Sequence, residues 1–230
     1  MKKIIFLMAL FVVFGFQNTN AQDWANLKKY EKENIRLGKP KAMEKRVVFM
    51  GNSITEGWLR TSPSFFEGKS YIDRGISGQT TPQMLLRFRQ DVIDLEPKVV
   101  VILAGINDIA ENTGPISLEQ TAGNIFSMAE LAKANGIKVI LCSVLPASDF
   151  PWSPGKNPGP KVVKLNAMLK SYAKNNNIPY VDYYSVMVNS ELGLKKELGE
   201  DGVHPNREGY AIMEPIVEKA IAKVINEKVK

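Results

Sequence analysis

Val47-Val48-Phe49-Met50-Gly51-Asn52-Ser53-Ile54-Thr55 is the stretch that decides the fold. Four apolar residues in a row, two of them β-branched, read as a short strand covered on both faces. Gly51 closes the run, and the polar pair Asn52-Ser53 then opens a stretch that suits a helix start. Strand, tight turn, helix is the unit from which parallel α/β sheets are built. Working outward, continuous apolar runs of the same kind recur at residues 99–103 (Val-Val-Val-Ile-Leu), 139–142 (Val-Ile-Leu-Cys) and 180–182, with a further one near Tyr71-Ile72-Asp73. Helical patterns separate them, at residues 81–95, 117–134 and 161–175. A last helix follows Asn206 to about Val229, with Met213, Ile216, Val217, Ala220, Ile221 and Val224 as its inner stripe. Pro215 either kinks that helix or delays its start. The alternation predicts a three-layer α/β/α sandwich on a mostly parallel, five-stranded sheet.

The N-terminal residues follow a different logic. Lys2 and Lys3 precede an apolar run, residues 4–16, and a short polar segment ends in Thr19-Asn20-Ala21. This is the layout of a secretory signal peptide, residues 1–21, cleaved after Ala21. The alternative, an uncleaved anchor, meets a run shorter than the roughly 20 residues a spanning helix needs. No cysteine follows the run, which argues against a lipoprotein anchor. The expected product is periplasmic or secreted, with no stable membrane insertion after cleavage. Residues 22–45 read as a helical arm, with Asp23 capping a helix to about Leu37 that Gly38 ends, and residues 46–230 as the main domain.

Of the 230 residues, 30 are basic and 24 acidic, and the basic ones are scattered through helical patterns rather than gathered in a stripe. That excludes an obvious nucleic-acid surface. The single cysteine, Cys142, cannot form an intramolecular disulfide and sits in an apolar run, where a thiol is an inert packing group. One histidine and one cysteine cannot assemble a typical zinc site, so neither a metal nor another cofactor is expected.

In open α/β sheets ligands bind beyond the carboxyl ends of the strands. The loops leaving those ends, residues 51–55, 74–78, 104–108 and 146–160, are rich in small and polar residues. Ser53 stands in the first. It is a common helix cap by residue type, or else a nucleophile whose hydroxyl needs an adjacent base. The only histidine, His204, lies in Asp201-Gly202-Val203-His204-Pro205, three residues after a carboxylate that a turn would bring to its Nδ1. Oxyanion donors would come from the Ser53 and Gly78 backbone N–H groups and the Asn107 side-chain amide. The simpler readings are a tight turn at Gly78 and a loop closure at Asn107.

Taken together, Gly51-Asn52-Ser53-Ile54-Thr55, Gly75-Ile76-Ser77-Gly78-Gln79, Gly105-Ile106-Asn107-Asp108 and Asp201-Gly202-Val203-His204 resemble the four sequence blocks of the SGNH/GDSL hydrolases, in order, across about residues 46–225. The resemblance implies a flavodoxin-like fold, with Ser53 as nucleophile, His204 as base supported by Asp201, and Ser53, Gly78 and Asn107 as the oxyanion hole. Asn52 stands where the GDS form has Asp, which leaves the nucleophile in place.

The resemblance also implies a small-molecule or glycan ester as substrate. Removal of acetyl or another small acyl group from a carbohydrate is the leading expectation. A lysophospholipase- or acetylhydrolase-like lipid esterase is the alternative, and a non-catalytic carbohydrate-binding protein on the same fold the third reading. Trp58, Phe150 and Trp152, with Phe65 and Phe66, are the aromatic residues expected to flank the cleft, unless they pack in the core.

Overall fold

In the computed structural model, residues 23–226 are described; the signal-peptide expectation for residues 1–21 falls outside them. Five strands form the sheet: β1 (Val47–Gly51), β2 (Tyr71–Gly75), β3 (Val99–Leu103), β4 (Lys138–Cys142) and β5 (Tyr180–Val181). They are all parallel, in the order β2-β1-β3-β4-β5. The connecting helices are α1 (Glu31–Leu37), α2 (Ser53–Thr61), α3 (Thr81–Asp91), α4 (Ile106–Ile109), α5 (Leu118–Ala134), α6 (Pro158–Asn175), α7 (Tyr184–Met187) and α8 (Arg207–Asn226). Helices α2 and α8 meet on one face of the sheet, while α3, α5 and α6 lie side by side on the other. This is the three-layer α/β/α sandwich that the apolar runs predict, in the flavodoxin-like strand order that the resemblance implies.

Burial explains why those runs lack alternation. Every residue of β1 and β3 is buried, because both faces are covered by helices. Helix α5 presents Thr121, Ala122, Ile125, Met128, Ala129 and Ala132 inward at helical spacing, and its start is fixed by a Ser117–Gln120 capping box. On the other face an aromatic cluster fills the space between β1, α2 and α8. Trp58 stacks on Phe65 at 4.9 Å and on Tyr210 at 5.3 Å, with Phe49 and Phe66 edge-on around it.

Two expectations need revision. The arm is not one helix from Asp23: Asp23 caps the amides of Leu27 and Lys28, but Asn26 takes a left-handed φ of 53° and the chain turns until α1 begins at Glu31. Pro215 does not delay the start of α8. The helix runs from Arg207 through Pro215, with both Pro215 and Ala211, whose carbonyl loses its intrahelical donor, exposed to solvent.

The strand order reverses around β1, so the crevice of such a sheet lies beyond the ends of β1 and β3. Gly51, Gly75 and Leu103 end in register there.

Candidate active site

Ser53 is the first residue of α2, directly after β1. Its neighbour Asn52 performs the capping: Asn52 Oδ1 accepts the Ile54 amide at 3.0 Å. The Ser53 hydroxyl is thereby left for another partner, and that partner is His204 Nε2 at 2.8 Å. The two residues are 151 positions apart in sequence and are joined by the loop before α8.

Asp201 fixes the imidazole from the other side. Its Oδ2 accepts from His204 Nδ1 at 2.6 Å, while its Oδ1 accepts the backbone amides of His204 at 2.7 Å and Val203 at 2.9 Å. Partial burial raises the Asp201 pKa, but the hydrogen bonds from the His204 amide, its ring and the Val203 amide outweigh it, and the carboxyl lies below its ordinary value. An ionised Asp201 at Nδ1 keeps the proton on that nitrogen and turns the Nε2 lone pair toward Ser53.

A cleft of about 320 Å³ opens over these groups and is lined by Ser53, Ser77, Gly78, Asn107, Asn112, Trp152 and His204. As the first residue of α2, Ser53 has an amide with no acceptor inside the helix. Gly78, at a φ of 78° that favours glycine, lies in the loop after β2. Asn107 is buried on α4 after β3. One of its Nδ2 protons goes to the Gln79 carbonyl at 3.0 Å, leaving the second for another acceptor. Next to it Asp108 is buried and takes the Thr81 amide and hydroxyl, and burial pushes its pKa up to about 6. A larger cavity of about 900 Å³ sits at the other end of the sheet, between residues 40–45 and the start of β3, and holds no comparable set of groups.

Of the aromatic residues expected at the cleft, only Trp152 is there. It is 44% exposed, its ring lies 5.8 Å from the His204 ring, and its Nε1 donates to Asn112 Oδ1 at 2.9 Å. Trp58 and Phe150 are corrections. Both are fully buried: Trp58 belongs to the aromatic core beneath α2, and Phe150 packs under Trp152. Phe65 and Phe66 are core residues as well. Asn112 was not foreseen, since nothing in its sequence surroundings marks it, whereas Ser77 lies inside a block already singled out.

The sequence model of the GDSL-like Lipase/Acylhydrolase family matches residues 49–212. A solved structure of a GDSL-like lipase from Bacteroides thetaiotaomicron is 58% identical and superposes with a TM-score of 0.85, covering 86% of this chain and 98% of that one. Among curated relatives, a Bacillus subtilis lipoprotein is 30% identical over 139 residues, 59% of this chain and 48% of that protein. An acetylxylan esterase from Xylanibacter ruminicola is 27% identical over 219 residues, 79% of this chain and 44% of that protein. The chain thus spans about half the length of these two relatives. With blocks, fold and family match in agreement, the chain belongs to the GDSL-like lipase/acylhydrolase family and so to the carboxylic ester hydrolases.

Proposed function

We propose that this protein is a serine esterase that removes small acyl groups, acetyl first among them, from carbohydrate esters. The observation that carries the reading is the unbroken chain Asp201–His204–Ser53 at hydrogen-bond distances, beside Gly78 and Asn107 in one cleft. Ser53 Oγ attacks the ester carbonyl carbon while His204 Nε2 takes its proton. The carbonyl electrons move to oxygen, which the Ser53 and Gly78 N–H groups and the free Asn107 N–H hold. As the carbonyl re-forms, the bond to the alcohol breaks, and His204 returns the proton to the leaving oxygen. Water then attacks the acyl-serine with His204 again as base, releasing the acid and restoring the Ser53 hydroxyl.

Three features favour a small acyl group on a sugar. The cleft is open and of about 320 Å³, its lining of Ser53, Ser77, Gly78, Asn107, Asn112, Trp152 and His204 includes no aliphatic residue, and Trp152 offers one exposed aromatic face of the kind that packs on a sugar ring. The likeness to an acetylxylan esterase points the same way. We also propose that residues 1–21 direct export and that residues 22–45 form an arm on the enzyme domain.

The test is a panel of p-nitrophenyl esters of increasing chain length and acetylated xylo-oligosaccharides, with Ser53→Ala as control. Acetyl esters are expected to turn over fastest, with Ser53→Ala at background. Rates that rise with chain length would favour a lipid esterase. Equal rates in wild type and Ser53→Ala, with sugar binding retained, would favour a binding module.

A further inference from the structure

Helix α1 buries none of its own residues, and apolar burial in the arm is confined to Ala25 and Tyr30, with Leu37 half-buried against the core. The arm's polar contacts converge on the groups that would face the oxyanion. Lys29 Nζ pairs with Glu56 Oε1 at 2.9 Å. Glu56 Oε2 in turn accepts the Ser77 amide at 2.9 Å and the Ser77 hydroxyl, immediately before Gly78. Glu56 stands one helical turn after Ser53, on the same side of α2, so its carboxylate bridges the nucleophile's helix to the Gly78 loop.

A second path reaches Asn107. The Ala25 carbonyl accepts from Gln79 Nε2 at 2.7 Å, Gln79 Oε1 accepts from Arg87 Nε at 2.5 Å, and the Gln79 backbone carbonyl holds Asn107 Nδ2 at 3.0 Å. Tyr30 adds a third tie, donating its hydroxyl to the Gly75 carbonyl where the loop leaves β2. Hydrogen-bond donors stabilise a developing oxyanion only when held in place beforehand, and a displacement of about 1 Å can cost about 10²-fold in rate.

We propose that the arm, residues 23–37, is a strut for the oxyanion-binding groups, acting through two positioning residues, Glu56 on the Gly78 loop and Gln79 on Asn107. This rests on the esterase reading above. Glu56 and Gln79 touch no reacting atom; they set where Gly78 N–H and Asn107 Nδ2 point.

The experiment uses the full chain carrying Glu56→Ala, Lys29→Met or Lys29→Arg. Rates of p-nitrophenyl acetate hydrolysis are taken per active site titrated with diethyl p-nitrophenyl phosphate, and amide exchange at residues 77–79 is followed in parallel. Glu56→Ala is expected to lower kcat by about 10- to 100-fold, part of the roughly 10²–10³ that loss of an oxyanion donor costs, with KM little changed. Exchange at Ser77 should quicken. Lys29→Met should show the same pattern more weakly, and Lys29→Arg should restore the wild-type rate. An unchanged kcat per titrated site in Glu56→Ala, or losses that follow only the fraction unfolded, overturns the strut. Wild-type turnover no faster than Ser53→Ala would overturn the esterase reading and the strut with it, so the two failures are told apart.

Discussion

Two adjacent residues divide the work at the proposed nucleophile. Serine and asparagine are both good helix caps, and in this turn the amide oxygen of Asn52 takes the capping bond while the Ser53 hydroxyl turns to His204. Asn52 therefore caps the helix without placing a negative charge beside Ser53. His204→Ala should abolish turnover of p-nitrophenyl acetate in a folded protein. Asp201→Asn should lower kcat by about 10³–10⁴ and leave a residual rate, because the imidazole would lose the acceptor that fixes its tautomer. Single-turnover kinetics at neutral pH measures both. A wild-type rate in Asp201→Asn would mean that the Nδ1 contact at 2.6 Å does not set the proton's position.

The elements were legible to different degrees, for physical reasons. Strands β1 and β3 announce themselves, because a strand covered on both faces must be apolar throughout, and the blocks at residues 51–55 and 105–108 follow from where those strands end. Trp58 was readable too: it lies four residues after Ile54, on the inward stripe of α2, so its place in the core follows from helical period. Phe150 and Trp152 share an irregular loop with no period to separate the buried ring from the exposed one. The arm was least legible, since it is held by hydrogen bonds to distant residues rather than by an apolar stripe. One element contact is visible only in three dimensions. A Cβ on Gly75 would lie 2.1 Å from the Glu56 amide nitrogen and 2.7 Å from the Asn52 carbonyl oxygen, both backbone atoms at the first turn of α2. Gly75→Ala should therefore push that turn off the sheet and cost about 3 kcal/mol or more, the upper end of ordinary overpacking. Urea denaturation would register the loss. A change under about 1 kcal/mol would show that α2 can move without cost, contrary to the packing of protein interiors.

At the scale of the whole molecule, the sheet, the arm and the site loop meet around a buried carboxyl group. Asp73, on β2, accepts the Gly75 amide at Oδ1 over 2.7 Å, while its Oδ2 has no hydrogen-bond partner among the described residues. Burial raises its pKa to about 7, against an ordinary value of 3.8, with the hydrogen bond from the Gly75 amide and the neighbouring Arg74 and Arg87 offsetting only part of the effect. A carboxyl whose folded-state pKa is raised holds its proton when the unfolded chain has already released it. Between about pH 4 and 7 the native state thus binds more protons than the unfolded state, and stability falls as pH rises through that window. Asp108, raised to about 6 by burial, adds a contribution of the same sign. Asp201 and Glu56, both below their ordinary values, act oppositely, and their contributions are lost only as the solution becomes more acidic than the usual carboxylate range. The folded protein should accordingly be most resistant to urea at weakly acidic pH and less so at pH 8. Asp73→Asn, which cannot ionise, should flatten the decline between pH 4.5 and 7 whatever it does to stability at any single pH, because the slope alone reports the proton difference. Urea midpoints at several pH values for the two proteins decide it: parallel curves would show that Asp73 titrates alike in the folded and unfolded chains, and that its burial exacts no electrostatic penalty.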